Sequence, residues 1–516
     1  RMTAEAGSGH PSSGLSLAHI ATVLLYDVMR WRPADPWHRG SDRLVLSEGH
    51  AVPFVYAACC DLGVAVGSSP ETARRLTRAD AMTLRSIDSP LDGHPNPSAG
   101  FPFFDVATGS LGQGLSAACG LALAARLDGS DRRFFVAIGD GESREGQIWE
   151  ACDFLVEQGL ASVVPIFNAN GYGQSDPVSP QQSADRLVAK LEAFGCAAQL
   201  VDGHDPTSVR AALQHAVADE APRAIVARTV KGWGVEEFGR KNYHGKALDR
   251  DQVEQALADL DARRDALLAA HEPPKQIAPQ PCAEPSARPA PGERPGPPDF
   301  VALLEGDKRQ EDAREGRIST RLAYGLALRE YGRRDERIVA LDGDVKNSTR
   351  AEYFAKAVPD RFFEARIAEQ NMVSAAAGLA AAGRIPFVST FAKFLVRAYD
   401  QVEMALIGGL GLNLVGSHAG ASIGADGPSQ MGLADLNYFR AFTTVTRPDG
   451  TPLLTLLNPA DACCAYQCVG RMTELPGAAY LRVIRDSLPL LYAAEDAFPI
   501  GGMRVLGTNA DGSKHG

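Results

Sequence analysis

The chain has 516 residues, 45% of them hydrophobic, and a net charge of −11. That length fits about two to three domains with ample buried cores, and the acidic balance argues against nucleic acid and anionic membranes as partners, so that any phosphate site must be a local pocket. No apolar run reaches the roughly eighteen residues of a membrane span, the N-terminus has no basic-then-apolar signal, and the nine cysteines include no Cys-x-x-Cys pair. A cytoplasmic protein with reduced, mostly buried thiols is expected.

In chain order, residues 1–270 alternate short β-branched runs with Ala- and Leu-rich stretches. Residues 134–138 predict a strand, 148–157 a helix and 163–167 a second strand, a rhythm that argues for a parallel sheet. Apolar positions at helical spacing over 251–269 predict a closing helix. Ten prolines then fall between 273 and 298, which reads as an extended interdomain tether rather than a ligand for a polyproline-binding module. The α/β rhythm resumes with a helix over 320–331, a strand over 338–341, a small-residue helix over 372–382 and strands near Phe387 and Asn413. Cys463, Cys464 and Cys468 have one-face helical spacing and read as packing residues. The expected fold class is therefore α/β, with two domains that are each a parallel sheet flanked by helices. The boundaries are 1–270, a Pro-rich linker 271–300, 301–486, and 487–516 as a linker and the truncated start of a further domain, ending in the polar string 508–516.

The chemistry centres on Asp140. It sits in Gly139-Asp140-Gly141 after an apolar run, and Asn170 follows a second such run. Oxygen ligands at the ends of neighbouring strands can share one hard divalent cation, and that cation can hold a diphosphate. Gly109-Ser110-Leu111-Gly112-Gln113-Gly114 adds another Gly-rich turn. A lone Gly-Asp-Gly is a weak signal, since most such turns bind nothing. It gains weight from Gly7-Ser8-Gly9-His10-Pro11, Leu46-Ser47-Glu48-Gly49-His50-Ala51, Asp92-Gly93-His94-Pro95, Lys231-Gly232-Trp233-Gly234 and His244-Gly245. Further along come Asp342-Gly343-Asp344-Val345-Lys346-Asn347-Ser348-Thr349, Ile367-Ala368-Glu369-Gln370-Asn371-Met372, Ser389-Thr390-Phe391, Gly416-Ser417-His418 and Asp426-Gly427-Pro428-Ser429-Gln430. With these motifs the chain resembles transketolases, thiamine diphosphate enzymes, in their animal-type branch, from Arg1 to about Gly502.

The resemblance implies transfer of a two-carbon ketol unit from a ketose phosphate such as xylulose 5-phosphate to an aldose phosphate such as ribose 5-phosphate. Alternatives are another thiamine diphosphate enzyme, such as a dihydroxyacetone or deoxyxylulose phosphate synthase, or a subunit or non-catalytic scaffold of a split transketolase. Asp140, Asn170 and the Tyr172 carbonyl would bind Mg²⁺, Ca²⁺ or Mn²⁺. The cofactor would be held by Ser13, His50, Gly109, Leu111, Gly141, Glu145, Asn170, Gln174, Lys231 and His244, with Phe391 and Phe394 around its pyrimidine. Glu369 would hydrogen-bond N1′ of that ring from an apolar pocket that raises its pKa. His10, His94, His244 and His418 would join it as catalytic residues, with His10 and His244 as proton carriers tuned toward neutral pH. Sugar phosphates would contact His10, His94, His244, Arg321, Ser348, His418, Asp426, Gln430 and Arg485. Asn168 stands where the family has Asp, removing a negative charge near the metal. His19, His38, His204, His215 and His271 match no motif. A homodimer with interfacial sites is implied, and a separate chain could supply the missing C-terminal domain.

Overall fold

The computed structural model describes residues 1–240, 242–272, 278–285 and 287–502. These form two compact units, one of 1–288 with 365–386 and 397–412, the other of 289–364 with 387–396 and 413 onward. No described helix is long and apolar enough to cross a membrane.

The first unit is built on five strands, β1 (Arg43–Leu46), β2 (Phe134–Gly139), β3 (Val163–Ala169), β4 (Ala197–Asp202) and β5 (Arg223–Arg228), in the order β1-β2-β3-β5-β4. Every registered pair is parallel. All six residues of β2 are buried, as a strand covered on both faces requires, which is why this run is apolar without alternation. Around the sheet, Leu17, Val55, Tyr56, Phe101, Phe135 and Ile166 belong to one core. Helix Gly146–Glu157 starts two residues before the sequence suggests. Helix Arg250–Ala270 is present and opens on a capping box formed by Asp249 and Gln252. Only Ala256 on it is buried, and it packs on a small cluster of Val235, Phe238, Tyr243 and Leu248 rather than closing the main core.

Helix Glu369–Ala381 lies in this unit and runs against helix Gly114–Leu127 at backbone contact. A Cβ on Gly120 would stand 1.8 Å from the Ala375 carbonyl oxygen, and one on Gly378 would stand 2.0 Å from that of Ala117. The small residues of the two helices permit this approach.

Most described residues of the proline-rich segment are exposed, but part of it touches the first unit. Gln280 accepts a hydrogen bond from Trp31 N at 3.0 Å, Cys282 Sγ lies 3.7 Å from Ser41 Oγ, and a Cβ on Gly40 would meet the Ala283 carbonyl. Residues 278–285 are therefore seated on the first unit. Pro273 and Pro274 lie outside the described residues.

The second unit carries β6 (Ile338–Asp342), β7 (Phe362–Glu364), β8 (Ile385–Phe391), β9 (Asn413–Ser417), β10 (Leu454–Leu457) and β11 (Ala478–Arg482), ordered β7-β6-β8-β9-β11-β10. The pairs β7 with β6, β8 with β9, β9 with β11 and β10 with β11 are parallel. Helices Thr320–Arg334 and Ala462–Met472 belong to this unit, and Cys463 and Cys468 are buried on the latter. Ser487–Pro489 pairs antiparallel with Arg317–Ser319, so the described start of the 487–516 segment folds back onto this unit. A further strand beyond 502, and the 508–516 string, lie outside the described residues.

Candidate functional site

Parallel strands all end on one edge, and the turns leaving that edge converge. In the first unit β1 is followed by Ser47 to His50, β2 by Asp140, β3 by Asn170 and β5 by Lys231. These turns wall a cavity of about 290 Å³ with His10, Ser13, His94, Gly109, Leu111, Gly141, Tyr172, Gln174 and His244. Of the first-unit residues named for cofactor or metal, Glu145 alone is not on the wall. It is exposed at the start of helix Gly146–Glu157, beside Gly112.

The Asp140 carboxylate accepts from Gly141 N at 2.7 Å and Gly171 N at 2.6 Å, and Asn170 Oδ1 accepts from Tyr172 N at 3.1 Å. Burial pushes Asp140 up to about 6, against the pull of those backbone N–H groups and Lys231. Lys231 Nζ donates to the Gly173 carbonyl at 3.2 Å and lies 2.7 Å from His244 Nδ1; burial brings it down to about 8. The cavity thus has an oxygen-ligand pair for a hard cation beside an ammonium, the donor set a metal-bound diphosphate requires. Among the described residues, Ser13 Oγ and His10 Nδ1 are buried without a hydrogen-bond partner, so the wall also has polar capacity to spare.

The histidines form one cluster. Ring centroids of His10 and His50 are 5.0 Å apart, of His10 and His244 4.9 Å, of His50 and His244 5.0 Å, and of His10 and His94 6.4 Å. Burial, followed by the proximity of other cationic groups, holds His10 near about 3 and His244 near about 4, and depresses His50 and His94. The shifts thus all run toward the neutral form of the rings.

Two wall residues escaped the sequence reading. Glu142 accepts from Ser47 Oγ, Gly112 N (2.8 Å) and Gly139 N (3.0 Å), and burial pushes it up to about 7. It ties three of the turns together. Glu48 is buried, with its carboxyl driven well above the usual range by desolvation, and accepts from Asn168 Nδ2 at 2.9 and 3.2 Å. It lay inside a motif already noticed, but nothing in its spacing distinguished it.

Glu369 opens its helix in the same unit and is 5% exposed. Its surroundings correct the expectation of an apolar pocket. Arg397 Nη1 lies 3.4 Å from Glu369 Oε2, and Asn371 N, two residues on, donates to Glu150 Oε2 at 3.3 Å. The carboxyl therefore has a cationic partner.

In the second unit Phe391 and Phe394 stack at 5.1 Å with planes 9° apart, and Phe391 lies 4.1 Å from the His418 ring. Arg321 Nη1 donates to the Ser348 carbonyl at 2.8 Å and stands 3.2 Å from His418 Nε2. Burial, then the charges of Arg321, Arg485 and Arg350, holds His418 near about 4. Arg350, which sequence reasoning missed, thus completes a group of three guanidiniums around this imidazole. Its φ is +73° and that of His418 is +54°, a conformation non-glycine residues adopt at a cost of roughly 1–3 kcal/mol and often at functional sites. Asp426 is exposed and Gln430 half-buried on the following loop, apart from that arginine group's hydrogen bonds.

Residues 2–267 match the family model described as the transketolase thiamine diphosphate binding domain, and 316–489 match the transketolase pyrimidine binding domain. Rat transketolase is 41% identical over 510 residues, which is 98% of this chain and 75% of the rat protein. The chain belongs to the transketolase family. Human transketolase is 40% identical with the same coverage of both chains, and cattle transketolase-like protein 1 is 34% identical over 98% of this chain and 73% of that protein. The solved structure of Campylobacter jejuni transketolase superposes with a TM-score of 0.76 at 22% identity, covering 99% of this chain and 80% of that one. Pichia stipitis transketolase in complex with sedoheptulose 7-phosphate gives 0.73 at 22%, covering 95% and 76%. At that identity these structures establish the fold.

Against the transketolase pattern, Asn168 is accounted for by its neighbours. Nδ2 donates to Glu48 and to Ser16 Oγ, and Oδ1 accepts from Thr229 Oγ1 at 2.5 Å. An Asp here would set a second carboxylate against Glu48. The amide instead satisfies Glu48, so this position braces the cavity floor and its side chain is fully engaged away from Asp140.

Proposed function

We propose that the protein is a thiamine diphosphate-dependent ketol transferase, moving a two-carbon unit from a ketose phosphate to an aldose phosphate. The observation that carries this reading is the single cavity that joins Asp140, Asn170 and Lys231 to the His10, His50, His94 and His244 cluster. Diphosphate recognition and a set of proton-handling rings then meet in one place.

When bound, thiamine diphosphate supplies the nucleophilic carbon and the electron sink that breaking a bond next to a ketone requires. In this reading Asp140, Asn170 and the Tyr172 carbonyl hold Mg²⁺ or a similar divalent cation, while Lys231 neutralises diphosphate oxygens and His50 hydrogen-bonds them. The Gly109, Leu111 and Gly141 backbone, with Ser13 and Gln174, completes the grip. His10 and His244 then polarise the donor carbonyl and pass protons, and His94 hydrogen-bonds a donor hydroxyl. Glu369 hydrogen-bonds N1′ of the aminopyrimidine, and Arg397 restrains the carboxyl that does so. Phe391 and Phe394 face that ring.

Arg321, Arg485, Ser348 and His418 form the seat for the sugar phosphate, joined by Arg350, with Asp426 and Gln430 at sugar hydroxyls. Guanidinium forks suit phosphate oxygens, and a neutral His418 donates a hydrogen bond without adding charge. In this account 1–270 is the diphosphate-binding domain, 301–486 the pyrimidine-binding domain, and the active species is a cytoplasmic homodimer.

Mixing the chain, thiamine diphosphate and Mg²⁺ with xylulose 5-phosphate alone tests the donor half. About one equivalent of glyceraldehyde 3-phosphate per site should appear rapidly, before slow turnover. Absence of that release from cofactor-loaded protein would refute the assignment.

A further inference from the structure

The opposite edge of the first sheet carries a second concentration of charge. Arg43 opens β1, and Arg132 lies just ahead of β2, so both belong to the edge remote from Asp140. A cavity of about 340 Å³ opens there, lined by Arg39, Arg43, Arg132, Arg288, Trp37 and Phe104.

Two of the four arginines have carboxylate partners. Arg39 pairs with Asp128 at 2.9 Å, and Arg43 reaches Asp105 at 3.1 Å while donating to the Pro36 and His38 carbonyls. Asp128 is shared with Arg384. Arg132 is different. It is 5% exposed, its guanidinium lies 5.4 Å from the centre of the Phe134 ring, and among the described residues no carboxylate or hydrogen-bond acceptor meets it. Arg288, exposed at the cavity mouth, has no described ion-pair partner either. It arrives on the proline-rich segment that Trp31, Ser41 and Gly40 hold against the unit.

Arg132 and Arg288 therefore bring two positive charges to the cavity that pair with no described carboxylate, since Asp105 and Asp128 are engaged by Arg43, Arg39 and Arg384. The charges that act on Arg132 are these same groups, Arg43 and Arg39 against Asp105 and Asp128. A buried guanidinium without a partner is costly, whereas the same group facing a multivalent oxyanion is satisfied.

We propose that this pocket binds the phosphate group of a small molecule, with Arg132 and Arg288 as its main contacts. A dianion answers the charge excess better than a single carboxylate, and two guanidinium forks match the geometry of phosphate oxygens. The volume exceeds that of bare phosphate, and Trp37 and Phe104 offer apolar wall to the remainder of a phosphomonoester. The proline-rich segment is then part of a binding site as well as a connection.

Calorimetric titration of the full chain with inorganic phosphate and with glycerol 3-phosphate, at fixed ionic strength, tests this. Wild-type protein should show a binding component that weakens at least tenfold in Arg132→Met and in Arg288→Ala, and that persists in Arg321→Ala. Tighter binding of glycerol 3-phosphate identifies an organic phosphate as the ligand, and equal or tighter binding of inorganic phosphate identifies the free ion. Arg288 is exposed, so its variant reports even if Arg132→Met folds poorly. Isotherms unchanged in Arg288→Ala, or no component lost in either variant, would overturn the proposal.

Discussion

Glu369 and Arg321 are the residues on which the proposed chemistry turns, and each can be tested separately. Glu369→Gln keeps the shape of the side chain and removes its acid function, while the diphosphate and metal contacts lie on other residues. Turnover should fall at least a hundredfold with thiamine diphosphate affinity changed less than about threefold, measured by steady-state kinetics and by titration; comparable losses in both would assign Glu369 to binding instead. Arg321→Ala removes a fork from the group around His418. It should raise KM for phosphorylated donors by about tenfold or more and leave KM for a non-phosphorylated ketose nearly unchanged. The motif residues around the cavity were readable because each has a fixed place in a turn. Arg350 and Arg397 were not, since an arginine at either position reads as a surface charge until the fold brings it against His418 or Glu369.

Among the elements, the paired helices Gly114–Leu127 and Glu369–Ala381 make the sharpest claim. A side chain at Gly378 would enter the Ala117 carbonyl, so Gly378→Val should destabilise the fold by about 1–3 kcal/mol or more and lower turnover by displacing Glu369. A chemical denaturation curve matching wild type would contradict that packing. The loop after β6 supplies a pH test. Asp342 accepts from Val345 N at 2.7 Å and Thr349 Oγ1 at 2.6 Å, and burial pushes its carboxyl up to about 8. Because the folded value exceeds the unfolded one, native protein binds the proton more tightly, and this contribution to stability is lost as pH rises from about 4 through 8. The Tm advantage of wild type over Asp342→Asn should therefore shrink between pH 5 and 8.5. Strands β2, β3 and β6 were legible as unbroken apolar runs, and the Arg250–Ala270 helix from apolar positions at helical spacing. The seating of 278–285 was not, since prolines in a tether and prolines docked on a surface have the same composition.

For the whole molecule, the proposed function draws on a metal-diphosphate cavity in the first unit and a phosphate seat in the second. Saturating thiamine diphosphate and Mg²⁺ at about a hundred times Kd should stabilise the chain by about 2.7 kcal/mol, read as a rise in Tm that EDTA reverses. Family membership was legible because motifs recur in order along nearly all of the sequence, whereas the arginine pocket at the far edge of the first sheet exists only once residues 39, 43, 132 and 288 are folded together. The most direct test is a complete exchange reaction: purified chain, thiamine diphosphate, Mg²⁺, xylulose 5-phosphate and ribose 5-phosphate, with sedoheptulose 7-phosphate followed by mass spectrometry. The account predicts product from wild type that vanishes in Glu369→Gln. No product from wild type with the cofactor bound, or equal product from both proteins, would contradict it.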